Sequence, residues 1–261
     1  MDVLLVIVMI LIGVFTGVVT GLTGASGVMV VVPLVSMLLN FSIHEAIGTS
    51  LMVDVIAPLA IAYIYYKHGN VDIKSGIWIA LGSIVGAQLG ATFAAGMPEV
   101  GLGGVFGVFM AVMGVVVWKK GLNQKDVANS MKKVVKFETQ TQRICTALIL
   151  GFAVGVVTGV FGAGGGGMIL LILVFVLNFP LHIAIGTSAL IMAITACSGA
   201  IGYALYGNIR LLDGLILGFS AAGSGMVSGK FANKVNEQVL SKAVGIVFII
   251  LGLIMTVLYL K

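Results

Sequence analysis

Charge is what this chain has least of. Asp, Glu, Lys and Arg together make up 9% of its 261 residues, where a soluble domain carries about 25%. A water-soluble globule is excluded. Cysteine occurs only as Cys145 and Cys197, with neither metal-ligand spacing nor matching placement, so a disulfide framework and a metal site are both set aside. No GK[ST] follows any glycine cluster and no strand–helix alternation surrounds one, which removes a nucleotide-binding loop. An intramembrane enzyme would need a converging nucleophile, acid and base. Asp54, two histidines near the interfaces and two unpaired cysteines do not supply that set, so no enzyme activity and no cofactor are expected.

What is abundant is apolar. The chain is 60% hydrophobic with a mean hydropathy of +1.20, and it breaks into runs without ionised side chains, such as 3–22, 76–97 and 100–118. Each has roughly the 20 residues needed to cross a hydrocarbon core of about 30 Å. Asp2 stands where a signal peptide would carry a basic region, and the first run has a match at 141–160 in mid-chain. Both argue against cleavage.

Those runs are written twice. GVVTGLTGASG at 17–27 and GVVTGVFGAGG at 155–165 agree at 8 of 11 positions, as do NFSIHEAIGTS at 40–50 and NFPLHIAIGTS at 178–188. The offset is 138 residues in both cases, and Gly69, Asn70 and Gly114 fall on Gly207, Asn208 and Gly252 without a gap. Five apolar segments per half follow, at 3–22, 28–39, 43–66, 75–97 and 100–118, then at 141–160, 166–177, 181–204, 213–229 and 238–259. The expected fold is an all-α polytopic membrane protein of about 8–10 membrane helices. A duplicated, glycine-interrupted membrane chain is the pattern of a secondary transporter. Residues 1–118 form the first membrane repeat, 119–140 a basic linker and 141–261 the second repeat.

Seven of the fourteen basic residues lie between Lys119 and Arg143, against Asp126 and Glu138. Beside membrane spans, such a stretch reads as cytoplasmic. Counting outward from it puts 67–74 and 178–182 inside, and 40–45, 98–99, 207–213 and both termini outside. Because each half has an odd number of segments, the halves face opposite ways across the bilayer. The spacing therefore predicts an inverted repeat in a multi-pass plasma (inner) membrane protein. Segments 28–39 and 166–177 are too short to span, so each half is expected to hold a helical hairpin whose glycine-rich tip lies near the midplane. Tyr63, Tyr65, Tyr66, Trp118, Tyr203, Tyr206 and Tyr259 sit at segment ends, as interface anchors do. Gly82, Gly86 and Gly90, matched by Ser220, Ser224 and Ser228, form a small-residue stripe for close helix packing.

Glycine-rich tips present backbone N–H groups at helix N-termini, where dipole and unpaired donors favour an anion. The first tip offers Thr20, Gly21, Gly24, Ala25, Ser26 and Gly27; the second offers Thr158, Gly162, Gly164, Gly165 and Gly166. Apart from Arg143 and Lys242 near segment starts, no basic residue lies within a segment, so an anion at the tips would rely on dipoles and hydroxyls. The competing reading is that these glycines only permit sharp turns. Ser42 and Glu45 have capping-box spacing, which puts Thr49 and Ser50 about 11 Å along their helix. They and Thr187 with Ser188 could face the tip of their own half, or simply bond a carbonyl one turn back. His44 and His182 are equivalent positions, open to a proton relay or to a structural hydrogen bond. Asp54 is the single carboxylate deep in a segment, about 18 Å into its helix, and its repeat equivalent is Met192. An ionisable group there points to coupling or gating, with a buried hydrogen-bonded carboxyl as the alternative. Gln88 is a weaker polar candidate.

The doubled glycine turn and the N-x₃-H-x-A-x-G-T-S stretch resemble the sulfite exporter TauE/SafE family, also called the four-toluene sulfonate uptake permease family. The resemblance covers nearly the whole chain except the basic linker. It implies a plasma-membrane carrier for sulfite or an organosulfonate such as sulfoacetate, mostly exporting, with the glycine turns and the triplets 48–50 and 186–188 near substrate. The first turn departs from the second, with Ser26, Val28 and Met29 opposite Gly164, Gly166 and Gly167. The partners expected are a small anionic substrate, the lipid bilayer and protons as coupling ion, with no nucleic acid; self-association into a homo-oligomer stays open. An anion channel or a non-transporting membrane scaffold is the alternative.

Overall fold

Apolar runs of these lengths satisfy their backbone only by coiling, because hydrocarbon offers no hydrogen-bond partner. The computed structural model describes residues 3–23, 26–120, 139–163, 165–177, 179–231 and 237–260. Among them the helices are α1 (Val3–Thr23), α2 (Val28–Leu39), α3 (Ile43–Lys67), α4 (Ile73–Ala95) and α5 (Glu99–Lys120) in the first half. The second half has α6 (Gln140–Phe161), α7 (Gly165–Leu171), α8 (Leu181–Leu205), α9 (Leu211–Phe231) and α10 (Glu237–Leu260). A π-helical turn, Ile172–Val176, extends α7. Eight of these helices are long and apolar enough to cross a membrane. Helix α2, with 12 residues, rises only about 18 Å, and α7 is shorter still. The body of the linker, 121–138, lies outside the described residues.

Local chemistry sets the ends of these helices. Ser42 caps α3 by accepting the Glu45 N–H at 3.2 Å, while the Glu45 carboxylate accepts the Ser42 N–H at 3.2 Å, the reciprocal arrangement expected of that spacing. Asn40 takes a left-handed φ of 53° to end α2, and Gly162 ends α6 at φ 68°. The second turn is one that a glycine makes without strain.

Small residues decide which helices pair. Gly82, Gly86 and Gly90 of α4 lie against the backbone of Leu148, Phe152 and Val156 of α6. From the other side Gly151, Gly155 and Gly159 lie against the carbonyls of Ile79, Ser83 and Ala87. The same construction joins α1 to α9, where Gly13, Gly17 and Gly21 receive Ser220, Ser224 and Ser228. In both pairs the numbers rise together, so the helices run parallel. Lipid tails are as apolar as leucine, and close van der Waals approach of this kind is what holds membrane helices together.

Repeat-equivalent helices, in contrast, meet head to tail. Gly48 of α3 faces Tyr203 of α8, while Gly186 of α8 faces Tyr65 of α3. Gly107 and Gly114 of α5 pack on Gly252 and Gly245 of α10. Each of these contacts maps onto the other by exchanging halves. One end of the bundle gathers the start of α3, the end of α4 and the turn before α9, through His44 to Ala94 and Glu45 to Arg210. The other gathers the start of α4, the start of α8 and the start of α6, through Thr187 to Asp72 and Arg143 to the Leu177 carbonyl.

One class of expected anchors is corrected. Tyr63, Tyr66, Tyr206 and Trp118 are exposed, as interface residues are, but Tyr203 is fully buried and donates its hydroxyl to the Val160 carbonyl at 3.3 Å. Tyr65 packs its Cβ against Gly186. Both residues stand at the α3–α8 crossing with their Cβ atoms against Gly186 and Gly48, a role that position at a segment end does not reveal.

Candidate functional site

The first glycine tip is tied to the middle of α3. Ser26 donates its hydroxyl to Asp54 Oδ2, and the Gly27 N–H donates to Asp54 Oδ1 at 3.0 Å. Gly27 is the N-cap of α2, so a carboxyl group occupies the place where a helix N-terminus favours negative charge. Asp54 is 3% exposed. It is the twelfth of the 25 residues of α3, which sets the tip at half the height of that helix. Gly24 and Ala25 lie outside the described residues. Thr20 donates within α1 to the Gly17 carbonyl at 3.2 Å, and Gly21 lies in the seam with α9, where a Cβ would overlap Ser228.

The second tip comes up to the first. A Cβ on Gly162 would stand 3.0 Å from side-chain carbons of Val28 and Ile47, so it touches the opening residue of α2. Thr158 is buried and donates to the Val154 carbonyl at 2.9 Å; its hydroxyl oxygen would lie 3.1 Å from a Cβ on Gly165. Gly166 is covered by the sulfur of Met192, 2.5 Å from where a Cβ would stand. Gly164 lies outside the described residues. Met192 and Asp54 are repeat equivalents, and each sits over the tip of its own half. One half closes its tip with a carboxyl group and the other with a thioether.

The threonines of the G-T-S triplets bond across the halves. Thr49 Oγ1 accepts the backbone N–H of Arg210 at 3.0 Å, and Thr187 Oγ1 accepts that of Asp72 at 2.9 Å. Each threonine thus holds the turn that enters the fourth helix of the opposite half. Gly48 and Gly186 make room for it, lying against the carbonyls of Asn208 and Asn70. Ser50 and Ser188 bond back to the carbonyls of Ile47 and Ile185 at 2.8 and 3.0 Å. Sequence spacing could not distinguish these partners, because the threonines bond to a turn more than a hundred residues away.

His44 donates from Nε2 to the Ala94 carbonyl at 3.0 Å, fastening α3 to the end of α4; the side chain of His182 lies outside what is described. Sequence reasoning missed a polar seam between α4 and α8. Ser83 and Thr195 share a hydrogen bond of 2.6 Å, Gln88 donates to the Ser198 carbonyl at 2.7 Å, and Ser198 donates to the Ile84 carbonyl at 3.0 Å. At the equivalent places between α9 and α3 stand Ala221, Ala57, Met226 and Ala60. Only Gln88 carried a signal, and it was a weak one. No group of three or more His, Cys, Asp or Glu that could hold a metal is found among the described residues.

Comparison with known proteins returns membrane transporters. The family model described as Sulfite exporter TauE/SafE matches residues 9–255. A probable membrane transporter protein of Bacillus subtilis, YdhB, is 30% identical over 97% of this chain and 99% of its own. Another from the same organism, YunE, is 24% identical over 94% of this chain and 95% of its own. No solved structure matches.

Proposed function

The chain belongs to the sulfite exporter TauE/SafE family and is a multi-pass membrane transporter, and on that premise we propose that it moves a small anion by alternating access. The cargo proposed is sulfite or an organosulfonate such as sulfoacetate, bound where the glycine tips meet and carried across the plasma membrane with Asp54 holding the coupling proton. The observation that carries this reading is the contact of Gly162 with Val28. It brings two donor-rich turns together at half height, where irregular backbone is tolerated only inside protein or beside a water-filled cavity. Support for an anion comes from Asp54 itself, whose carboxyl oxygens accept from a hydroxyl and an N–H. A sulfonate or sulfite oxygen asks for the same donors. Alternating access draws on the head-to-tail course of α3 and α8, which suits two halves facing opposite ways.

Sulfite, sulfoacetate, sulfate, taurine and carboxylates added in turn to the purified protein test the cargo. A ligand that binds only the folded state raises its stability by mass action, so sulfite or sulfoacetate should raise Tm and the carboxylates should not. Gly165→Leu should insert and fold yet lose that shift, since its Cβ would stand 3.1 Å from Thr158 Oγ1, a tight contact with a side chain that must give by a few tenths of an ångström, and the leucine fills the tip. Gly167→Leu, with nothing within 4 Å, should keep it. A Gly165→Leu protein that retains the shift removes the tips from the site.

Orientation follows from charge. The proposal has the repeats 1–118 and 141–261 joined by a cytoplasmic linker at 119–140, with both termini outside. Asn129→Cys, in a background lacking Cys145 and Cys197, should resist impermeant maleimide in intact cells and react after lysis. Labelling in intact cells would reverse the orientation.

A further inference from the structure

Asp54 places a carboxyl group of the protein's own in the first glycine tip. Its two oxygens accept from the Ser26 hydroxyl and from the Gly27 N–H, and Gly27 is the residue that caps α2. A serine hydroxyl and a backbone N–H carry one hydrogen each. With both hydrogens directed at Asp54, neither is left for another acceptor. No cation faces the carboxyl group. Helices α1 and α2 contain no Asp, Glu, Lys, Arg or His. Of the other helices packed on α3, α5 has Glu99, Lys119 and Lys120, α8 has His182, and α9 has Asp213 and Lys230, all in first or last turns. His44, Glu45 and Lys67 stand at the ends of α3 itself. Among the described residues, what acts on Asp54 is its burial and the bonds from Ser26 and Gly27.

We propose that the Asp54 carboxylate is a resident stand-in for the cargo, and that an anion entering the tip displaces it and brings a proton onto it. The inference rests on the anion-binding reading of the tips given above. An incoming sulfonate oxygen at Ser26 and Gly27 takes the hydrogens that Asp54 holds in its absence. A carboxylate left without donors in a buried site is strongly disfavoured, and the group neutralises instead. One Asp54 oxygen therefore takes a proton from water, and the carboxylate becomes a carboxylic acid. The new O–H is itself a donor, so the group that competed for the tip then bonds to the cargo. Anion and proton bind together, and the transported unit is one anion with one proton moving the same way. The count stays at one because the matching residue over the second tip is Met192, whose thioether neither carries a charge nor takes up a proton.

Sulfoacetate is the probe, because it stays fully ionised between mildly acidic and mildly alkaline pH, whereas sulfite titrates there. Calorimetry on the purified wild-type protein should show its affinity falling towards the alkaline side, by up to about tenfold per pH unit. Buffers of different ionisation heat should reveal uptake approaching one proton per anion bound on that side. In proteoliposomes, an acidic exterior should drive sulfoacetate inward. Asp54→Asn should bind with an affinity that no longer follows pH, and without proton uptake. Binding by the wild-type protein with no proton uptake at any pH keeps the tips as the site and overturns the displacement. Equal pH dependence in Asp54→Asn overturns it as well, because some other group then takes the proton. Sulfoacetate driven outward by the acidic exterior shows opposed movement and has the same consequence. If neither sulfoacetate nor sulfite binds at any pH, the anion reading of the tips falls and the displacement with it.

Discussion

Asp54→Asn should abolish anion flux driven by a pH gradient while leaving counterflow near the wild-type rate. The asparagine is isosteric: its oxygen can still accept the Gly27 N–H, and the Ser26 hydroxyl can turn to accept from its amide. The tip stays tied to α3, but the side chain no longer gains or loses a proton. Counterflow exchanges one anion for another and needs no net proton movement, so it survives. Asp54→Ala makes the contrast. It leaves Ser26 and Gly27 without their acceptor in a buried site, at a cost of about 1–3 kcal/mol for each unsatisfied group, and should lose both activities with stability. A carboxyl group that serves only to hold the tip predicts that Asp54→Asn keeps gradient-driven flux. Measuring both fluxes in proteoliposomes at matched protein density decides between the two, and unchanged gradient-driven flux would end the coupling proposal.

The largest effect on the fold is expected from Gly86→Leu. A Cβ there would overlap the carbonyl of Phe152 and come within 2.8 Å of the Val156 nitrogen. Both obstacles are helix backbone, which cannot rotate aside as a side chain would. Helices α4 and α6 must separate, losing the contacts of Gly82, Gly90, Gly151 and Gly155 together. Overpacking of this kind costs about 3 kcal/mol, the upper end of its usual range, and lowers Tm by roughly 6–12 °C. Gly223→Leu supplies the control, since nothing lies within 4 Å of an added Cβ there. Its Tm should stay within about 2 °C of wild type. Equal losses at the two positions would mean that leucine is harmful for some reason other than the seam.

How much of this could be read from residues alone depends on the range of the interaction. Segment boundaries came within a few residues, because hydropathy and the Ser42 and Asn40 end signals act over a single turn. The hairpin tips were legible for the same reason: glycine clusters interrupt a run wherever they stand. Partner choice was not. The stripe at Gly82, Gly86 and Gly90 announces close packing, yet nothing in it names α6 over any other helix with small residues. The triplets were legible only in part: Ser50 and Ser188 bond to a carbonyl one turn back, one of the two readings the spacing allowed. Thr49 and Thr187 serve the turns of the opposite half, partners that spacing along one helix does not name. Asp54 stood out by its solitude, and Ser26 and Gly27 as part of the glycine tip, but the link between them did not show, since it forms only when α2 folds back along α3. The π turn at 172–176, opposite a regular stretch of α2, left no visible signal.

The crossed pairing of α1 with α9 and of α4 with α6 bears on how the protein is made. A ribosome delivers the first half as five helices whose glycine grooves have no mates within that half. Helix α1 enters the bilayer and waits, its row of Gly13, Gly17 and Gly21 facing lipid, until residues 211–231 have been synthesised. Only then can the groove close. Assembly is thus delayed to the end of translation, and neither half alone holds the surfaces that would let it mature as a separate unit.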